Sequence, residues 1–423
     1  MASPHPLMVL PFVAMLLTIA IAPLAFRHHW ERWYPLIALG LGGISVAYYL
    51  AVLRQPAPML HVAQEYLSFI ALIASLYIVS GGIHIRVKGE STPAINVLFL
   101  LIGAVLANVI GTTGASMLLI RPWIRMNKFR VTAFHVVFFI FIVSNVGGCL
   151  TPIGDPPLFL GFLKGVPFWW VLEHCWQAWC VGVGGMLAIF YVLDRRNFAR
   201  VPRAVREAQT AHEEWRFDGL HNILFLVLVL VGVFQPFGLR EALMLAAALG
   251  SWFTTRRDIH RANDFDFHPI KEVAWLFIGI FATMVPALQY LELHAKELPL
   301  STEMHFYWLT GALRGVLDNA PTYHAFLAAA FGRHGLNLDS PDDMRTFMAG
   351  HDHHLIAISI GAVFFGAMTY IGNGPNFMVK AIAERQKVET PGFLAYIVRF
   401  SLPVLLPFFF LVGILFFSRW RLF

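Results

Sequence analysis

Two acidic residues within long apolar segments are the side chains best suited to carry chemistry in this sequence. Asp155 lies in the segment T-P-I-G-D-P-P, and Asp318 lies in the segment L-D-N-A-P. A carboxylate inside a membrane costs at least about 2.5 kcal/mol, so such a residue indicates an ion or proton site. An ionised carboxylate binds Na+ and its neutral form carries H+. Competition for one acid is therefore the simplest way to couple the two ions.

Neutral oxygen atoms accompany each acid along the chain. In the first half the candidate ligands are Asn108, Thr112, Thr113, Ser116, Ser144, Asn145 and Thr151. In the second half they are Asn319, Thr322, Thr369, Asn373 and Asn376. Such oxygens and backbone carbonyls suit a dehydrated alkali cation, whereas helix N-termini suit an anion. We expect bound Na+ or Li+ and H+ as transported ions, with no cofactor and no transition metal among these ligands.

Simpler interpretations of the same residues stay open. Asp155 stands before two prolines and could do no more than cap a helix. Arg314 precedes Asp318 by four residues, the spacing of an ion pair within one helix, and it could alternatively face an anionic substrate. The Asn and Thr residues could serve only to satisfy backbone groups freed by an interrupted helix.

Composition restricts the class of protein. The chain has 423 residues, of which 58% are hydrophobic and 13% charged, against roughly 25% charged residues in soluble domains. Too few polar residues remain to cover the outside of a soluble fold, which excludes a soluble enzyme, a disordered scaffold and a disulfide-stapled domain. The three cysteines have no zinc spacing, and no nucleotide-binding or hydrolase motif occurs. We expect a membrane protein that is not an enzyme, with lipids and small ions but no nucleic acid as partners.

The elements that must position these residues form two similar halves. The polar stretch 194–217 separates residues 1–193 from residues 218–423. T-P-I-G-D-P-P-L-F in the first half corresponds to T-Y-I-G-N-G-P-N-F in the second, with five identical positions at an offset of 218. L-A-N, ending at Asn108, corresponds to L-D-N, ending at Asn319. Repeats with interrupted apolar segments at corresponding positions indicate a secondary transporter.

Two apolar runs in each half are interrupted. The runs 94–124 and 305–333 have small and polar residues at their centres and predict re-entrant hairpins. The runs 132–163 and 354–383 contain Gly and Pro and predict unwound spanning helices. Non-helical backbone at membrane depth is tolerated only inside protein or along a watery cavity. The sequence thus predicts an all-α polytopic protein with about ten transmembrane helices and two hairpins.

The distribution of charge predicts an orientation. Five spanning segments per half is an odd number, so the second half is expected to be inverted relative to the first. The loops on one face collect 22 of the 31 Lys and Arg residues. By the positive-inside rule this face, which includes 194–217, is cytoplasmic. Both termini are then expected outside the cytoplasm of a bacterial inner membrane.

A histidine-rich segment lies in the non-cytoplasmic loop after the second hairpin. It reads His351-Asp352-His353-His354. Imidazoles bind metals and respond to pH near neutrality. The alternative is a solvated loop without a ligand.

The motifs resemble those of a known superfamily. The segment G-G-C-L-T-P-I-G-D-P-P from Gly147 is similar to a signature of the ion transporter superfamily, which includes divalent anion/sodium symporters, citrate permeases, arsenite permeases and NhaD-type antiporters. D-N-A-P from Asp318 resembles the second-hairpin motif of the NhaD and arsenite branches. G-T-T-G-A-S followed by R-P resembles a bacterial subgroup labelled as sodium:proton antiporters or citrate transporters.

The resemblance implies a homodimer with a scaffold domain and a transport domain that moves like an elevator. It assigns hairpin roles to Asn108 and Asn319, and it assigns the unwound segments to Thr151–Pro157 and Thr369–Pro375. Asp155 and Asp318 replace residues that are neutral in the symporters, which favours a Na+(Li+)/H+ antiporter. The alternatives are a Na+- or H+-coupled carrier of citrate or another organic anion, with Arg314 as anion holder, and an arsenite-type permease.

Overall fold

The fold is built almost entirely of helices that follow the apolar runs of the sequence. The computed structural model describes residues 4–87, 91–200, 216–315 and 319–418. Within these ranges the only sheet is one antiparallel pair of short strands, β1 His84–Arg86 and β2 Arg216–Asp218. The prediction of an all-α polytopic membrane protein is confirmed.

The helices of the first half follow one another in the order of the apolar runs. They are α1 Leu10–Ala25, α2 Arg27–Ala47, α3 Ala57–Gly81, α4 Pro93–Met126, α5 Ala133–Ile142, α6 Pro156–Leu163 and α7 Trp170–Phe198. A π-helical turn, Tyr48–Val52, ends α2, and a 3-10 turn, Val146–Gly148, lies between α5 and α6.

The helices of the second half also follow its apolar runs. Its helices are α8 Asn222–Val233, α9 Leu239–Thr254, α10 Arg257–Ala262, α11 His268–His294, α12 Glu303–Arg314, α13 Asn319–His334, α14 Pro341–Gly350, α15 Asp352–Phe364, α16 Gly374–Arg385, α17 Phe393–Tyr396 and α18 Leu406–Phe417. A 3-10 turn, Phe365–Met368, lies between α15 and α16, and a π-helix, Ile397–Leu405, joins α17 to α18.

Six helical segments in the described part of the chain are long and apolar enough to cross a membrane. They are Arg32–Val52, Ala57–Gly81, Pro93–Met126, Trp170–Phe198, His268–Glu297 and Phe393–Phe417. Shorter apolar helices accompany them, two of which belong to the broken helices. A spanning helix needs about 20 apolar residues, so the protein is an integral membrane protein.

Helix α4 is an antiparallel hairpin. Its backbone turns at Gly111, where φ is 75° and ψ is 156°. Asn96 Nδ2 donates to Asn127 Oδ1 at 2.8 Å, although a straight helix would separate these residues by about 46 Å. The rings of Phe99 and Trp123, one on each arm, stack at 5.6 Å. In the second half, α12 and α13 occupy the corresponding place in the order of elements.

Helix α7 extends further than the sequence suggests. It continues to Phe198, whereas the polar linker was expected to begin at residue 194. The reason is that Asp194 is buried and ion-paired with Arg130. Asn96 Nδ2 and His135 Nε2 also contact its carboxylate, at 2.8 and 3.1 Å. These contacts hold the end of the helix within the protein.

Both broken helices share a G-x-x-T-x-x-G pattern, from Gly148 to Gly154 and from Gly366 to Gly372. An added Cβ at Gly154 would lie 2.1 Å from the carbonyl oxygen of Gly148. One at Gly372 would lie 2.6 Å from the carbonyl oxygen of Gly366. The threonine hydroxyl between them accepts a hydrogen bond from the amide of the second glycine, at 3.2 Å in the first half and 3.0 Å in the second. Each break is therefore a tight loop that excludes side chains at both ends.

The loop geometry predicts the outcome of two glycine substitutions in the second break. Gly372→Ala forces a methyl group against a backbone carbonyl and should cost about 1–3 kcal/mol, measured as a lower midpoint of thermal unfolding in detergent. Gly374→Ala is the matched control, since nothing lies within 4 Å of its added Cβ. Equal midpoints for the two variants would contradict this description of the break.

Candidate ion and substrate site

The two broken helices meet through equivalent residues. Asp155 and Asn373, which correspond at the offset of 218, precede α6 and α16 in extended backbone conformations. Neither side chain makes a capping hydrogen bond to its own helix. Instead, Asn373 Nδ2 donates to Asp155 Oδ1 at 2.9 Å. The interpretation of Asp155 as a simple helix cap is therefore wrong, because its carboxylate faces the other half of the molecule.

The tip of the first hairpin closes over Asp155. The Thr112 hydroxyl donates to Asp155 Oδ1 at 2.9 Å, and the Thr112 amide donates to the carbonyl oxygen of Gly154 at 2.8 Å. Both groups lie directly after the turn at Gly111. A movement of the hairpin tip would therefore break contacts to the acid and to the backbone of the break at the same time.

Arg314 brings a positive charge to the same acid. Its side chain is fully buried at the end of α12, and its Nη2 lies 3.7 Å from Asp155 Oδ2. Its Nε donates to the carbonyl oxygen of Ala362 at 2.6 Å. Gly366 permits this approach, because a Cβ there would lie 2.7 Å from Nη2. The described contact joins Arg314 to the acid of the first half. Asp318, its expected partner, lies outside the described residues.

Side-chain amides satisfy the peptide groups that the breaks release. Asn373 also donates to the carbonyl oxygen of Ser144 at 2.9 Å. Asn145 Nδ2 donates to the carbonyl oxygen of Ile140 at 2.8 Å and to Asn376 Oδ1 at 2.7 Å. Asn376 Nδ2 in turn donates to the carbonyl oxygens of Gly366 and Thr369, both at 2.8 Å. This network runs through both breaks without a gap.

The hairpins are tied to the breaks by the two motif threonines. The Thr151 hydroxyl donates to the carbonyl oxygen of Asn108 at 2.6 Å, and the Thr369 hydroxyl donates to that of Gly315 at 2.7 Å. Gly315, and not Asn319, therefore makes the backbone contact that corresponds to Asn108. The reason is that α12 ends at Arg314, five residues before Asn319. Asn108 also uses its side chain, which donates to the carbonyl oxygen of Gly147 at 2.6 Å and accepts from the amide of Leu150 at 2.8 Å.

The remaining predicted ligands lie around this centre or outside the described part. The Ser144 hydroxyl contacts the Ser116 hydroxyl at 2.7 Å on the second arm of the first hairpin. Thr113 is half-buried beside the hairpin turn. Thr322 is buried in the first turn of α13. The side chains of Asp318 and Asn319 lie outside the described residues, so their roles stay predictions.

The space beside the hairpin tip is small. A cavity of about 20 Å³ is bounded by residues of α3, the hairpin turn and the first break, with Thr112, Thr113 and Gly154 among them. A cavity of this size holds about one water molecule. Its lining is mostly apolar and includes neither Asp155 nor Arg314, so the cavity lies beside the ion pair.

A second buried ionic group escaped the sequence analysis. Lys164 Nζ lies 2.9 Å from Glu65 Oε1 and 2.6 Å from Asp339 Oδ1, so it links α3 to the end of α6 and to the loop before α14. His61 Nε2 lies 3.3 Å from Glu65 Oε1. These charges stand at the ends of apolar runs, where sequence alone suggests interfacial residues. The signal available in the sequence was that Glu65 and Lys164 carry opposite charges and both lie at the ends of apolar runs.

The fold and this centre define an integral membrane transporter. The tip of the first hairpin and the interrupted helices of both halves meet around the buried Asp155 and Arg314, as in the broken-helix sites of secondary transporters. A comparison with protein families matches residues 2–417 to the family described as "Putative citrate transport", and the chain belongs to this family. A comparison with curated proteins finds no match. Family membership supports a transporter of the citrate type, which is not an enzyme.

The contact between Asp155 and Asn373 predicts a thermodynamic coupling between the two halves. Asn373→Asp should lower the midpoint of thermal unfolding more than Asp155→Asn, because two carboxylates then face each other. The double exchange Asp155→Asn with Asn373→Asp restores one acid and one amide and should recover most of the loss. A coupling of about 1–3 kcal/mol is expected for residues in direct contact. Strictly additive effects would contradict the contact.

Proposed function

We propose that the protein is a secondary carrier of citrate or a similar small carboxylate anion, driven by co-transported Na+ or H+. The site is the crossing of the two broken helices. The family description supports the class of substrate. The buried Arg314 beside Asp155 is the single observation that carries the mechanism.

Arg314 is suited to hold a substrate carboxylate. A guanidinium binds a carboxylate through two parallel hydrogen bonds and stays charged in any protein environment. The N-termini of α6 and α16 lie directly after Asp155 and Asn373, and helix N-termini attract anions. A negatively charged group at the crossing would therefore meet one full positive charge and two partial ones.

Asp155 is suited to couple the anion to a cation. In the closed arrangement Arg314 and Asp155 lie 3.7 Å apart, and their charges offset each other. When a substrate carboxylate takes the guanidinium, the buried Asp155 loses the positive charge of Arg314, which is unfavourable. Binding of Na+ or H+ to Asp155 removes this cost. Anion and cation are then expected to bind together, which is the requirement for co-transport.

Opening of the first hairpin would give access to the site. The cavity of about 20 Å³ is far too small for citrate, since sites for small molecules are usually about 300–1,000 Å³. Gly111 provides the turn about which the tip could move, and Thr112 provides the contact that would break. We propose this opening together with the elevator-like movement of the hairpins and broken helices against the remaining helices.

Cation/proton exchange is the second candidate function. The small size of the cavity beside the ion pair favours it, because that cavity leaves no room for an organic anion. In that case Asp155 would bind Na+ or Li+ and H+ in turn, and Arg314 would only hold the acid ionised.

We also propose the cellular arrangement that the sequence predicts. The carrier would be a homodimer in a bacterial inner membrane, with both termini outside the cytoplasm. The bias of Lys and Arg toward one set of loops supports this orientation. The transported ions would be substrates, with no resident cofactor.

Transport in proteoliposomes separates the two functions. Labelled citrate uptake should depend on an inward Na+ or proton gradient and should stop when both gradients are absent. In parallel, addition of Na+, Li+ or K+ without citrate should leave an imposed pH gradient intact. Dissipation of that gradient by Na+ or Li+ alone, without citrate uptake, would establish the second candidate and overturn the first.

Two variants divide the roles of the ion pair. Arg314→Lys keeps the charge but loses the paired donors, so KM for citrate should rise about 10- to 100-fold. Asp155→Asn keeps the size and should abolish the dependence of uptake on Na+ and H+. Arg345→Ala, an exposed arginine on α14, is the control and should transport like the wild type. Unchanged cation dependence in Asp155→Asn would contradict the coupling role.

A further inference from the structure

Three histidines from separate turns meet at the outer end of the second hairpin. His334 ends α13, His351 lies between α14 and α15, and His354 lies in the first turn of α15. The possible ligand nitrogens of all three lie within 4.8 Å of one another. The segment that includes His351 is thus folded against α13 and is not a solvated loop.

The three imidazoles pack against one another, and two of them keep a buried ring nitrogen that makes no hydrogen bond within the described residues. The rings of His334 and His351 stack at 3.5 Å, and the ring of His354 lies 5.5 Å from that of His334. The Nε2 atoms of His334 and His354 are buried and have no hydrogen-bond partner among the described residues. Buried polar atoms without a partner are rare in folded proteins, and a bound ion would satisfy both of these nitrogens.

Aromatic rings form the support of the cluster. The Phe347 ring lies 6.0 Å from that of His334 and 5.7 Å from that of His351. The Phe306 ring meets His354 edge-on at 5.0 Å. This packing limits the orientations of the three imidazoles and reduces the entropy that a ligand must remove.

We propose that His334, His351 and His354 form a binding site for a transition-metal ion of the Zn2+, Cu2+ or Ni2+ class. Neutral imidazoles suit these ions, whereas Mg2+ and Ca2+ prefer oxygen ligands. Tetrahedral ligand atoms around Zn2+ lie about 3.4 Å apart. Closure of the observed upper separation of 4.8 Å around one ion requires the rings of His334 and His351 to rotate out of their stack. A fourth position stays open to water.

The metal would connect α13, which ends at His334, to the start of α15, where His351 and His354 lie. Helix α13 begins at Asn319, and α15 leads into the break at Phe365–Met368. An ion held at their outer ends restrains one relative to the other. The site is independent of the proposed substrate, because none of the three histidines touches Asp155 or Arg314 in the described contacts.

Metal binding to the purified, untagged full chain in detergent tests the proposal. After treatment with a chelator, the protein is titrated with Zn2+, with Co2+ as a spectroscopic probe of imidazole coordination. We expect one Zn2+ per chain, a tetrahedral Co2+ absorption spectrum, and a rise in the thermal midpoint of about 2–4 °C with Zn2+ but not with Mg2+.

Three variants locate the ion. His351→Asn keeps a residue able to precede a helix, and His354→Gln keeps a polar side chain of similar length. Each should weaken Zn2+ binding about tenfold or more, while His353→Asn, the neighbouring histidine outside the cluster, should bind like the wild type. The midpoint of thermal unfolding without metal shows whether each variant is folded. If only one of the two cluster variants folds, that variant alone tests the site. Absence of bound Zn2+ in the wild type, or equal binding by all variants, would overturn the proposal.

Discussion

Peptide groups released inside an apolar helical bundle must find partners, and this requirement organises the centre of the molecule. Two helices break at corresponding positions, and the freed carbonyls of Ser144, Gly366 and Thr369 accept hydrogen bonds from the side chains of Asn373 and Asn376. An unsatisfied group at membrane depth costs several kcal/mol. Because Asn373 of the second half serves the backbone of the first at Ser144, the two breaks cannot separate without loss of this bond.

The second constraint is that the buried charges of Asp155 and Arg314 compensate each other. Asp155 and Arg314 are both fully buried and lie 3.7 Å apart. Separation of a buried ion pair is costly unless another charge replaces the lost partner. In the proposed carrier, a substrate anion replaces Asp155 beside Arg314, and a cation replaces Arg314 beside Asp155. Both buried charges then stay compensated when the substrate is bound. The hairpin residue Thr112 contacts Asp155 and the backbone of the first break as well.

The sequence predicted the elements well and their contacts less well. Apolar runs, Gly and Pro interruptions and the motif repeat indicated the broken helices and placed Asp155 and Asn373 at equivalent positions. Periodicity could not show that these two side chains meet, because the contact depends on how the halves cross. It also missed Glu65 and Lys164, whose ion pair forms between separate helices. The family comparison supports the citrate alternative more than the antiporter. The two acids indicate a cation or proton site, but they do not show whether an anion is transported as well.

Equilibrium binding of citrate to the purified protein at varied Na+ concentration and pH tests the central claim most directly. If the substrate carboxylate takes Arg314 while a cation takes Asp155, each ligand must strengthen the binding of the other to the same extent. The account predicts that the Kd for citrate falls at least about tenfold as either Na+ or H+ replaces K+ at constant ionic strength. A Kd for citrate that is independent of both cations, or no binding of citrate under any of these conditions, would contradict it.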